Sequence, residues 1–225
     1  MEKARSVEKD VMVSLGGTSR LGVVGTGNYG RAIRAKLVGS GVRVVWGSRS
    51  PDQDQVTLET VMEESLIILA VPVFSWSSLP LSSLQPGTVV IDCSNRTSWC
   101  REEEISQAEQ LQDLLPSGVT VVKCLNTVSA YELENTSLSP GKQVPLAGDS
   151  PEAKRLVSEV LDRMGFHFSD MGPLQRARDI ENMPLYLFLN WRRPLLVSTR
   201  NLSSNISIKL TNSFILHLTH CIFDP

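Results

Sequence analysis

Three histidines and four cysteines in 225 residues form no recognisable chemical constellation. Cys93, Cys100, Cys124 and Cys221 make no CxxC pair and no zinc-like spacing, so they read as free, buried thiols of a reducing compartment. His167 falls in an expected strand, and His217 and His220 fall in a polar tail. None reads as a metal ligand or a general acid. No Ser-His-Asp set, metal cluster or pair of catalytic carboxylates can be assembled. Long apolar runs are also missing. A membrane-spanning helix needs roughly 18 to 20 apolar residues, and the nearest stretch, 185–197, is broken by Asn190, Arg192, Arg193 and Pro194. Charge of one sign is equally scarce. With a formal net charge of -2 and interspersed acids and bases, the chain has no basic stripe to neutralise phosphates, so nucleic acid is a poor partner. Residues 1–10 carry mixed charge without an apolar core, so no secretory signal is expected and the chain is placed in the cytosol.

What is present is an alternation of short apolar runs with polar or helical stretches, in a chain that is 41% hydrophobic. This is the pattern of an α/β domain: a Rossmann-type, doubly wound, mainly parallel sheet with helices on both faces. Strands are expected at 21–24, 42–46, 66–71, 89–92, 119–123 and 144–147, with a seventh at 166–169. Ala153, Leu156, Val157, Val160, Leu161 and Met164 recur at helical spacing, with Asp149 and Ser150 as cap and Gly165 as stop. Tyr29, Ala32, Ile33 and Leu37 mark a second helix, and 172–190 reads as a last one closing the domain. The expected organisation is a flexible N-terminus over 1–20, one domain over 21–198, and an unclassified tail over 199–225 that does not span a membrane.

The strongest motif is Gly25-Thr26-Gly27-Asn28-Tyr29-Gly30, a GxGxxG set between the first strand and the first helix. Gly25 permits the tight turn, Gly27 lets the backbone approach a pyrophosphate, and Gly30 lets helix and strand pack closely. About 20 residues on, an NAD enzyme usually places an acidic residue on the ribose hydroxyls. Here stand Ser48 and Arg49. A hydroxyl and a guanidinium suit a 2′-phosphate that a carboxylate would repel, so NADPH is expected over NADH. Because ligands of open α/β sheets sit beyond the carboxyl ends of the strands, the same crevice should be lined by Val71, Pro72 and Val73, by Ser94 and Asn95, and by Leu125, Asn126 and Thr127. The amides of Asn95 and Asn126 suit the nicotinamide ribose or carboxamide, and serve equally as turn formers at strand ends. Hydride transfer between a nicotinamide and a flavin needs placement more than proton chemistry, which fits a site without acid or base.

The stretches VVGTGNYGRAI, GSGVRVVWGSRSP, VVIDCSNR, VVKCLNTVSAYEL, QVPLAGDSPEAKR and DMGPLQRARDIENMPLYLFLNWRRP resemble the cytosolic oxidoreductase domain of the STEAP metalloreductases, itself similar to archaeal deazaflavin-dependent NADP reductases. The resemblance implies that NADPH reduces FAD, and that full-length relatives pass electrons through heme to ferric or cupric ions across an endosomal or plasma membrane. It implies NADPH contacts for Thr26, Gly27, Asn28, Tyr29, Ser48, Arg49, Asn95 and Ala130. It also lays Val71, Pro72, Val73, Phe74, Ser75, Trp76, Ser77 and Ser78 along the cofactor. Tyr131 takes the place of a tryptophan beside the flavin, where core packing explains it equally well. The chain departs from the family in four further places, one of them a shorter connector between Arg49 and Leu66. Residues 73–77 replace a basic, histidine-containing stretch, residues 101–114 lack a Ser-Asn-Ala-Glu-Tyr run, and Trp191-Arg192-Arg193-Pro194 leads into a polar tail instead of a membrane helix. A truncated form is therefore expected, either a flavin-reducing enzyme or an idle NADPH-binding module paired with full-length membrane relatives.

Overall fold

A computed structural model of the chain describes residues 20–95, 105–135 and 141–183. Eight strands form one sheet: β1 (Arg20–Val24), β2 (Arg43–Ser48), β3 (Val56–Thr57), β4 (Leu66–Leu69), β5 (Val89–Asp92), β6 (Thr120–Cys124), β7 (Gln143–Ala147) and β8 (His167–Asp170). Their order is β3-β2-β1-β4-β5-β6-β7-β8. The first six run parallel, β7 pairs antiparallel with β6, and β8 runs parallel to β7. The LIIL of β4 and the VVID of β5 are buried at every residue, as strands covered on both faces must be.

Among the described residues six α-helices cover the sheet: α1 (Asn28–Gly39), α2 (Leu58–Val61), α3 (Gln107–Leu114), α4 (Ala130–Glu134), α5 (Pro151–Arg163) and α6 (Ala177–Glu181). One apolar layer joins Ile33 and Leu37 of α1, Leu133 of α4 and Val157 and Leu161 of α5 to one side of the strands. The other joins Val61 of α2, Leu111 of α3 and Ile180 of α6 to the opposite side. The doubly wound arrangement is therefore as expected, with a reversed pair of strands at one margin. No helix among the described residues is long and apolar enough to cross a membrane.

The strands at 21–24, 42–46, 89–92, 119–123, 144–147 and 166–169 lie within a residue or two of the observed elements, whereas β4 stops at Leu69, before the 71 expected. Pro72 has no N–H for the ladder and opens a 3-10 turn over Val73–Ser78. The helix expected across 172–190 is interrupted too. Gly172 turns the chain at φ 106°, a 3-10 turn follows at Leu174–Arg176, and among the described residues of that stretch regular α-helix spans Ala177–Glu181. Asp149 helps to place that turn, its carboxylate accepting from the Leu174 N–H at 2.8 Å, while Ser150 alone caps α5 through the Ala153 N–H. Residues 184–190 and the whole 199–225 tail lie outside the described residues, as do 1–19, Cys100, Cys221, His217 and His220.

Candidate functional site

In this strand order the winding reverses between β1 and β4: β2 and β3 lie to one side of β1, and β4 onward to the other. The glycine-rich turn sits at that switch point. Gly25 has φ 129° and lies so close to β4 that a Cβ there would meet the Ala70 carbonyl oxygen at 2.3 Å. A Cβ on Gly30 would meet the Gly25 carbonyl oxygen at 2.2 Å, which is the close helix–strand packing expected of the third glycine. Around Gly27 no atom lies within 4 Å of where a Cβ would be. Two glycines are thus required by the protein itself, and the middle one faces open space.

The start of α1 is exceptional among these helices. Thr57, Ser106, Ser129 and Ser150 each cap their helices with a side-chain oxygen, and each of those helices carries a glutamate in its first turn. α6 also lacks a side-chain cap but carries Asp179 in its first turn; among the described α-helices only α1, which begins at Gly27, has neither a side-chain cap nor an acidic first-turn residue. Its first-turn N–H groups thus receive no capping side-chain oxygen, and with the partial positive charge of the helix they lie at the switch point, a ready site for an anion.

Two side chains not singled out from sequence hold the turn in shape. Trp46 Nε1 donates to the Gly25 carbonyl at 2.8 Å, and Arg31 Nε donates to the Thr26 carbonyl at 2.7 Å. Arg34 lies over the Trp46 ring, 4.8 Å from its centroid.

At the end of β2, Ser48 and Arg49 border a cleft of about 400 Å³ that also includes Thr57, Leu58, Glu59, Ser77, Ser78, Leu79 and Pro80. Ser48 Oγ is engaged with the backbone of Ser50, donating to its carbonyl and accepting from its N–H. The expected 71–78 stretch divides. Ser77 and Ser78 join Ser48 and Arg49 in the cleft, Val71, Pro72, Val73 and Ser75 are half-buried, Phe74 is 83% exposed, and Trp76 is buried in the core. Glu59, unremarked in the sequence, puts a carboxylate in the same cleft.

Beyond β5 and β6 the two asparagines meet, Asn126 Nδ2 donating to Asn95 Oδ1 at 3.2 Å and to the Ile180 carbonyl at 3.1 Å. Asn126 Oδ1 is buried with no hydrogen-bond partner, as is Thr127 Oγ1. The preceding residue, Leu125, has φ 68°, and its carbonyl accepts a hydrogen bond from the Tyr29 hydroxyl. The Tyr29 ring is buried in the core, so only its backbone belongs to the α1 terminus. Asn28 is exposed at the first helical position, and Thr26 is half-buried. Ala130 and Tyr131, both half-buried, open α4 behind the Ser129–Glu132 capping box.

Under the asparagines lie three sealed ions. Lys123 Nζ donates to Asp92 Oδ2 at 2.8 Å and to the Ser94 carbonyl at 2.7 Å, and lies 3.3 Å from Glu181 Oε1. Burial works to lower the Lys123 pKa, but Asp92 and Glu181 outweigh it and hold the ammonium above its ordinary value. Nearby Cys93 and Cys124 are buried free thiols, as expected. Burial pushes Cys124 up to about 12 and Cys93 well above its ordinary value. No group of His, Cys, Asp and Glu among the described residues is arranged to hold a metal ion.

Residues 20–96, spanning the glycine turn, Arg49 and Asn95, match the family model described as NADP oxidoreductase coenzyme F420-dependent. Metalloreductase STEAP3 of Rattus norvegicus is 38% identical over 191 residues, which is 80% of this chain and 39% of the relative. Metalloreductase STEAP2 of Homo sapiens is 32% identical over 189 residues, or 79% of this chain and 38% of that protein. The chain is related to the STEAP metalloreductases. It spans 38–39% of the length of these STEAP relatives. Among solved structures, one assigned as an F420-dependent NADP-reductase from Arthrobacter sp. FB24 superposes with TM-score 0.62 at 22% identity, covering 73% of this chain and 89% of that one. A reductive aminase from Aspergillus terreus in complex with NADPH superposes with TM-score 0.53 at 14% identity, covering 74% of this chain and 59% of that one. These two likenesses establish the fold that the STEAP-related chain shares with them.

Proposed function

We propose that the chain is an NADPH-binding oxidoreductase domain whose acceptor is a flavin. The observation that carries this reading is the uncapped, acid-free start of α1 at the switch point, with open space over Gly27. A diphosphate there would receive the N–H groups of the first turn. The adenosine half would lie in the cleft between β2 and residues 77–80, with Arg49 and Ser48 on the 2′-phosphate. The nicotinamide half would reach Asn95 and Asn126. The free Oδ1 of Asn126 is an acceptor suited to a carboxamide NH2. When bound, NADPH supplies a hydride from its nicotinamide ring. The protein's part is placement: Trp46 and Arg31 fix the turn, and Tyr29 fixes the backbone before Asn126.

For a flavin the half-buried Tyr131 of α4 and the exposed Phe74 ring are the aromatic surfaces at hand. By relation to the metalloreductases, whose length the chain covers only in part, the electrons would continue through heme to ferric or cupric ions in a complete membrane protein. Titration of the purified chain with NADPH and NADH, followed by NADPH oxidation with and without FAD, tests the reading. Tighter NADPH binding with flavin-dependent turnover is the expected result. Selective binding without turnover at saturating FAD would instead identify an idle module that pairs with full-length relatives. Equal affinity for both cofactors would overturn the roles given to Ser48 and Arg49.

A further inference from the structure

Three fully sealed ionic side chains are a costly arrangement, and a buried ion pair is weak evidence for stability. Their bonds give them another role. Lys123 Nζ reaches Asp92, the Ser94 carbonyl and, at 3.3 Å, Ser94 Oγ, so the ammonium fixes the residue just before Asn95. Asp92 Oδ1 accepts from the Ser94 N–H at 2.9 Å, gripping the same residue from the other side. Glu181, beside Lys123, accepts from the Gln107 and Ala108 N–H groups at 3.0 and 3.1 Å, where α3 begins. The residue before it, Ile180, gives its carbonyl to Asn126 Nδ2. Two consecutive residues of α6 are therefore tied to the two asparagines, one through the ion cluster and one directly.

We propose that Glu181 is a positioning residue for the nicotinamide end of the crevice: seated against Lys123 and α3, it holds α6 where the Ile180 carbonyl orients the Asn126 amide. The inference rests on the dinucleotide reading above. The Ile180 carbonyl can only accept, so it draws the NH2 side of the Asn126 amide toward itself and leaves Oδ1 as the acceptor for a bound carboxamide. With α6 displaced, the remaining partner of the Asn126 Nδ2 is Asn95, whose own amide can donate or accept, so the sense of the Asn126 amide is no longer fixed.

The test compares two ligands on the full chain: NADPH, and adenosine 2′,5′-bisphosphate, which carries only the adenosine end. Proteins are wild type, Glu181→Gln, and a triple variant, Asp92→Asn with Lys123→Met and Glu181→Gln, which removes all three charges together and leaves no ion buried alone. Both variants should keep wild-type affinity for the bisphosphate and bind NADPH roughly tenfold more weakly, the worth of about one or two hydrogen bonds. Unchanged affinity for both ligands overturns the proposal. So does parallel loss of both, by unfolding or otherwise, because that marks a merely structural role. Failure of the wild type to bind either ligand removes the dinucleotide reading itself.

Discussion

Trp46 of β2 donates its indole N–H to the carbonyl of Gly25, 21 residues earlier and on the neighbouring strand's turn. The bond ties that carbonyl to β2. Trp46→Phe keeps an aromatic ring beside Arg34 and removes the donor together with part of the indole. We expect NADPH affinity to fall about two- to tenfold, the net worth of one hydrogen bond, with little change in melting temperature. Calorimetric titration beside a thermal melt checks both, and undiminished affinity would show that the turn holds its shape without the indole.

The glycines should separate stability from binding. Gly25→Ala forces a side chain into φ 129° against the backbone of Ala70 and should cost about 2–4 kcal/mol of folding stability. A Cβ at Gly27 meets no protein atom within 4 Å, so Gly27→Val should change stability by only about 1 kcal/mol, while the isopropyl group fills the space a diphosphate needs and abolishes binding. Urea denaturation and cofactor titration on both variants decide the matter. Retained NADPH binding in Gly27→Val would remove the phosphate from this turn.

Arg49 and Glu59 border one cleft with opposite charges. Arg49→Ala should weaken NADPH roughly ten- to hundredfold through loss of a charge-assisted pair, and leave NADH almost unaffected. Glu59→Gln should act in the opposite direction. Removing a like charge near the 2′-phosphate should tighten NADPH by roughly fivefold at low salt and by less at physiological ionic strength. The ratio of NADPH to NADH dissociation constants across a salt series reads both effects.

Alkali should unfold the chain by way of its interior. Burial raises the pKa of Cys93 and Tyr29 well above their ordinary values and that of Cys124 to about 12. These groups stay protonated in the folded state at a pH where the unfolded chain has released its protons. Stability is then complete below about pH 9 and falls as pH rises through the folded values. The slope should be about 1.4 kcal/mol per pH unit for each such group. Urea denaturation at pH 8, 9 and 10, repeated with Cys124→Ala, should show the slope reduced by one group's share. A flat profile would mean that the thiols are not sealed.

The buried strands and the glycine turn were legible because they need only local information: apolar runs such as LIIL, and a fixed spacing of glycines. That Asn95 and Asn126 stand together beyond β5 and β6 was legible from their places just after two expected strands. β3 was not, since two residues carry no period, and α2, α3 and α4 are too short for one to show. The latter two did carry a readable signal in the Ser106-x-x-Glu109 and Ser129-x-x-Glu132 capping boxes. The ion cluster was hidden for a different reason. Asp92 ends β5 and Lys123 is the penultimate residue of β6, and only the register of the two strands, which sets them opposite each other, turns two odd charges into a pair. Trp46 looked like a strand residue, and nothing local gives the reach of its indole to Gly25. Tyr29, read as a cofactor contact, sends its ring inward because α1 packs beside the turn at Leu125.

The reversal at β7 also decides what the sheet shows to other chains. β8 forms one margin with all four residues exposed, and β3, at the other, is two residues long. A strand adding itself alongside β8 would cover Asp170, whose carboxylate is paired with Lys154 at 2.8 Å, and strip that pair of water. One margin is thus too short to serve as a template, and the other is guarded by charge, so the sheet resists edge-to-edge polymerisation.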